Sequence, residues 1–87
     1  MKLQSPYLNN ETAIITGSGN GIGRALALEV AGEGARVFLV DSNEQKLADT
    51  LAELRAKGCT AEGAMIDLAL SGSAQQVLDQ ARAAFGP

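Results

Sequence analysis

The run Thr12-Ala13-Ile14-Ile15-Thr16 is short, rich in β-branched residues and free of charge, and it stops at Gly17. It predicts a buried strand. After the turn-forming stretch Gly17-Ser18-Gly19-Asn20-Gly21, Ile22, Leu26 and Val30 recur every fourth residue until Gly32 and Gly34 interrupt them, which predicts a helix along that apolar stripe. Arg36-Val37-Phe38-Leu39-Val40-Asp41 is again a continuous apolar run, too short for a helix and closed by an acid, and predicts a second strand. Ser42 or Asn43 then caps a segment in which Leu47, Leu51 and Leu54 form one stripe; Ser42 and Gln45 have capping-box spacing, and Glu53 and Lys57 are a favourable i,i+4 pair. Ala61 to Leu68 predicts a third strand, weakened by Gly63, and Ser71 or Ser73 opens a last helix with Ala74, Val77, Leu78, Ala81 and Phe85 on one face.

Strands that alternate with helical segments imply right-handed crossovers and a parallel sheet. The expected architecture is α/β, three layers, a βαβαβα half of a doubly wound fold with strand order 3-2-1, formed by residues 1–87 as one partial domain. In that order the first strand is an edge on which Ile14 and Ile15 present apolar faces, so self-association or a homo-oligomer through this strand is expected.

Composition narrows the chemistry. Seven Lys and Arg against ten Asp and Glu leave a net charge of −3, and there is no histidine and a single cysteine. Ser-His and Cys-His nucleophiles, imidazole-bearing metal sites, internal disulfides and CxxC clusters are thereby excluded. The acidic balance lacks the positive field that a nucleic acid needs. No stretch is long enough for a membrane span, the amino terminus carries no signal-peptide core, and the lone Cys59 fits a reducing compartment as an inert thiol, so a cytoplasmic location is expected. Fifteen of the apolar residues are alanines, which leaves a thin core.

The order strand, glycine-rich turn, helix, strand, acid is the constellation that carries chemistry. A nucleotide pyrophosphate sits on the amino end of a helix when backbone N–H groups face it and no Cβ obstructs it, and Gly17, Gly21 and Gly23 meet that need. Asp41, at the end of the second strand, lies at the same carboxyl edge and is placed to accept from both ribose hydroxyls. A ribose 2′-phosphate would meet Asp41 as a like charge, and Asn20 supplies no counter-charge, so NAD is favoured over NADP. Asp67 has two readings: it lines an adenine pocket, or it caps the turn that follows the third strand. Arg24 reads as a solvated helix residue. A P-loop is excluded because Arg24-Ala25, not Lys-Ser or Lys-Thr, follows Gly23, and a methyltransferase-type loop is disfavoured because Ile15 and Thr16 stand where its acid belongs.

Thr16-Gly17-Ser18-Gly19-Asn20-Gly21-Ile22-Gly23 resembles the Thr-Gly-x-x-x-Gly-x-Gly loop of the short-chain dehydrogenase/reductase family, and the likeness continues through Gly23-Arg24-Ala25-Leu26-Ala27, Gly34-Ala35-Arg36-Val37, Asp41 and Asp67-Leu68. The resemblance implies a Rossmann sheet that binds NAD or NADP and serves hydride transfer between nicotinamide and an alcohol or carbonyl, usually in dimers or tetramers. It further implies that Ser18, Asn20 and Ile22 contact the cofactor's ribose and phosphates, that Asp41, assisted by Ser42, holds the adenosine hydroxyls, and that Asp67 and the Leu68 backbone hold the adenine. The family's catalytic Ser and Tyr-x-x-x-Lys have no counterpart here: the sole tyrosine, Tyr7, precedes the first strand and is followed four residues later by Glu11. The expectation is therefore the amino-terminal part of an NAD-dependent member, with no catalytic residue and no metal site, inactive alone. Two alternatives stand beside it: a non-catalytic module for NAD, adenine nucleotide or assembly, and an NADP-dependent member.

Overall fold

A computed structural model of the chain describes residues 11–17 and 21–86. Tyr7 and the Ser18-Gly19-Asn20 stretch lie outside the described residues. The elements alternate as expected: β1 Thr12–Thr16, α1 Gly21–Gly32, β2 Arg36–Asp41, α2 Glu44–Ala56, β3 Ala61–Met65 and α3 Ser73–Phe85. The strands are parallel in the order β1-β2-β3, which is the expected 3-2-1 order read from the other side. Ile15 pairs with Leu39, and Leu39 with Gly63.

The central strand explains the layers. Val37 and Leu39 pack with Ile15, Ala27, Ala31, Leu47 and Leu54 under α1 and α2, whereas Phe38 and Val40 pack with Ile66, Val77 and Ala81 under α3. Both faces of β2 are covered, so its sequence is apolar at consecutive positions rather than at alternate ones.

Several local expectations are corrected. Of the Ile22, Leu26, Val30 stripe only Val30 packs against the core: Ile22 is 88% and Leu26 50% exposed, while Ala27 and Ala31 are buried. The helix approaches the sheet through the row Gly23, Ala27, Ala31, and an approach that close admits only small side chains. Asn43, not Ser42, caps α2, its side-chain oxygen accepting from the Lys46 N–H at 3.0 Å. β3 ends at Met65 rather than Leu68. Ile66, just past its end, is buried beneath α3 and donates its N–H to the Asp41 carbonyl of β2, a strand-like continuation beyond the last paired residue. Gly63 belongs to the strand because a Cβ there would lie 2.8 Å from the Leu39 carbonyl oxygen and 3.1 Å from Leu47 Cδ1. On α3 the buried positions are Ser73, Val77 and Ala81; Ala74 and Leu78 face outward, and Ser71 precedes the helix.

Two arginines tie the helices down. Arg36 of β2 donates to Thr12 Oγ1 of β1 at 2.9 Å and to the Phe85 carbonyl at the end of α3 at 3.1 Å. The Phe85 ring meets Phe38 edge-on with centroids 6.5 Å apart. Arg55 of α2 donates to the Ala61 carbonyl and pairs with Glu62 at 3.0 Å, holding the start of β3.

Candidate functional site

The carboxyl ends of three parallel strands open on one side of the sheet, and there the chain brings together Gly17 after β1, Asp41 and Ser42 after β2, and Asp67 and Leu68 after β3. They line a groove of about 270 Å³ together with Val40 and Ile66. Five of the residues singled out from the sequence thus share one concavity, although 50 positions separate Gly17 from Asp67. Ligands of open α/β sheets bind outside the carboxyl ends of the strands.

The turn from β1 into α1 is built on backbone proximity. A Cβ on Gly23 would lie 2.2 Å from the Gly17 carbonyl oxygen, a distance no real Cβ adopts, so the first turn of α1 rests directly on the peptide leaving β1. Gly17 itself has φ +61°, in the left-handed region, which turns the chain away from the strand axis. Gly21 and Ile22 open α1. Ser18, Gly19 and Asn20, which would complete the loop, lie outside the described residues.

Each acid is oriented by its own turn. Asp41 Oδ1 accepts from the Asn43 N–H at 2.8 Å, and its carbonyl accepts from the Ile66 N–H at 3.3 Å. Asp67 sits two residues beyond β3 rather than inside it, and Asp67 Oδ1 accepts from the Ala69 N–H at 2.9 Å. Both are Asx turns, which fix a carboxylate relative to the backbone; the capping reading of Asp67 holds, and it leaves the residue on the groove wall. Ser73 Oγ donates to the Leu68 carbonyl at 3.2 Å, tying the loop that carries Leu68 to the start of α3.

One residue beside the site behaves otherwise than expected. Arg24, in the first turn of α1, is not free in solvent: its guanidinium pairs with Glu53 of α2, which also meets Lys57 at 3.7 Å. No periodicity signals a pairing across 29 positions. A larger hollow of about 630 Å³ lies at the opposite edge, between the carboxyl ends of α1 and α2, and includes Glu29, Lys57 and Cys59. It holds none of the glycine-turn or strand-end acid positions, so its size does not make it the stronger candidate. Among the described residues no helix is long and apolar enough to cross a membrane.

Comparison with known proteins follows the same geometry. The family model described as short chain dehydrogenase matches residues 11–87. The chain is 39% identical over 79 residues to the uncharacterized oxidoreductase YxbG of Bacillus subtilis (strain 168), covering 91% of this chain and 29% of that protein. It is 38% identical over 79 residues to cis-2,3-dihydrobiphenyl-2,3-diol dehydrogenase of Pseudomonas sp. (strain KKS102), covering 91% and 28%. Among solved structures, a short chain dehydrogenase/reductase from Burkholderia phymatum in complex with NAD superposes with a TM-score of 0.87 at 38% identity, over 91% of this chain and 28% of that one. The chain therefore spans between a quarter and a third of the length of these relatives.

Proposed function

The chain belongs to the short chain dehydrogenase family, and we propose that it is the dinucleotide-binding amino-terminal part of an NAD-dependent oxidoreductase acting on an alcohol or carbonyl. The observation that carries this reading is the close approach of Gly23 to Gly17 beside the groove that holds Asp41 and Asp67. That contact seats the amino end of α1, where backbone N–H groups favour an anion, directly against the peptide that leaves β1 at the groove. The Burkholderia phymatum relative, solved with NAD, supports the same cofactor class.

In this reading Gly17, Ser18, Gly19, Asn20, Gly21, Ile22 and Gly23 surround the phosphates and the adjoining ribose. Asp41, with Ser42, takes the adenosine ribose hydroxyls, and Asp67 with the Leu68 backbone takes the adenine. Asp41 selects NAD over NADP because a 2′-phosphate would bring like charge to its carboxylate. The bound nicotinamide supplies the hydride chemistry; the residues named here only bind and orient. The chain alone transfers no hydride, since Tyr7 is the sole tyrosine and lacks the lysine four residues on. The open edge of β1 makes the chain self-associate.

Calorimetric titration of the purified protein with NAD tests the reading. Saturable binding in competition with adenosine is expected, and a folded protein that takes up neither would overturn it.

A further inference from the structure

We infer that Arg24 is a positioning residue for the dinucleotide site: through Glu53 it holds the first turn of α1 at the depth the glycine turn requires, without touching the ligand itself. The inference rests on the dinucleotide-binding reading above and names a residue that reading leaves out.

The first turn of α1 is Gly21-Ile22-Gly23-Arg24. Two of these residues have no side chain, and Ile22 is almost wholly exposed. Arg24 therefore carries the only side chain in the turn able to fasten it. Its guanidinium is paired with Glu53 near the carboxyl end of α2. α2 is itself anchored, with Leu47 and Leu54 in the core beneath it and its amino end capped by Asn43. The neighbouring Gly23 rests on the Gly17 peptide with no margin for a Cβ. The turn thus has a hard stop on the sheet side and a tether on the α2 side.

Charge supports positioning over direct phosphate contact. A cation in the first turn of a helix opposes the positive end of the helix dipole, and an acid beside it removes that conflict. The Arg24 guanidinium is engaged by Glu53, and Lys57 approaches the same carboxylate, so the cluster is satisfied within the protein. An anion at the helix terminus is then left to backbone N–H groups and the dipole.

Arg24→Ala, Glu53→Ala and the double variant separate the possibilities, with Arg24→Lys as the conservative control. Both single variants are expected to weaken NAD binding about three- to fivefold, the range of an ion pair between packed elements. The double variant is expected to be no weaker than either single, adenosine affinity to be unchanged, and Arg24→Lys to recover most of the loss. Exchange of the Ala25 and Leu26 amides, which close the first turn, is expected to quicken in both single variants while the β2 amides stay protected. Undiminished or tighter NAD binding in Glu53→Ala beside a loss in Arg24→Ala would show a direct phosphate contact and overturn the inference. An equal loss for NAD and adenosine would show general destabilisation and overturn it too, as would unchanged first-turn exchange. Absence of NAD binding in the parent would defeat the function proposed above, and the exchange measurement would still decide the role of Arg24.

Discussion

Arg36 and Phe85 are joined twice: the guanidinium donates to the Phe85 carbonyl at 3.1 Å and lies over the Phe85 ring, 5.5 Å from its centroid. A single side chain of the central strand thereby holds the last turn of α3 against the sheet, adding to the apolar contacts of Val77, Ala81 and Phe85 along the helix. Arg36→Met keeps the aliphatic stem and removes both links, and should lower stability by about 1–3 kcal/mol. Urea unfolding followed by circular dichroism measures this; an unchanged midpoint would show that the links contribute nothing net.

The glycines at 17 and 23 should respond differently to the same methyl group. At Gly17 a Cβ meets open space, and alanine suffers only the left-handed backbone, roughly 1–2 kcal/mol. At Gly23 it collides with the peptide of Gly17, and α1 must lift, at about 3 kcal/mol or more together with loss of NAD binding. Equal destabilisation of Gly17→Ala and Gly23→Ala would contradict the packing of α1 on the turn.

Asp41 is expected to choose the cofactor. Hydrogen bonds from the ribose hydroxyls to its carboxylate are worth roughly 1.5–3 kcal/mol, and NADP both forfeits them and brings about two negative charges to the same place. Ser42 and Asn43 beside it carry no charge. NAD should therefore bind at least about tenfold more tightly, which needs only about 1.4 kcal/mol, and Asp41→Ala should shrink that ratio. Titration of both cofactors against parent and variant checks it, and a ratio untouched by the substitution would clear Asp41 of the role.

β1 has β2 on one side and no further strand on the other among the described residues, and Ile14 beside that edge is 38% exposed. The protein should self-associate through this strand, with Ile14→Lys shifting it towards monomer, because a charge on an edge strand discourages pairing. Light scattering across a concentration series decides: a parent that stays monomeric when concentrated would refute the edge as an association surface.

How far the sequence discloses the molecule depends on what each element must do. β2 is legible because burial on both faces leaves a run of apolar residues that no helix or loop imitates. α1 is legible as a helix but not as to its face, since hydrophobic periodicity points to Ile22 and Leu26, whereas contact with the sheet is governed by how near the backbone can come, and that selects Gly23, Ala27 and Ala31. Ile66 lengthens the apparent third strand because burial beneath α3 leaves the same apolar mark as pairing does. In the candidate site, Asp41 is readable from its place at the end of β2 and Asp67 from its place shortly after β3, and their convergence with Gly17 follows from parallel topology. The tether from Arg24 to Glu53 is unreadable because it joins two helices whose relative rotation only the packed sheet determines.

Gly63 lies at the far edge strand, with Leu47 of α2 seated over it. Leu47 is one helical turn past Asn43, whose N–H is held by Asp41. The seating of α2 over position 63 is thus linked through one turn of helix to the Asp41 carboxylate. Gly63 works as a shim of zero thickness: a methyl group inserted there would press on the Leu39 carbonyl oxygen of β2 at 2.8 Å and push aside the Leu47 side chain of α2 at 3.1 Å, so the cofactor preference proposed for Asp41 would be open to retuning from a position outside the groove.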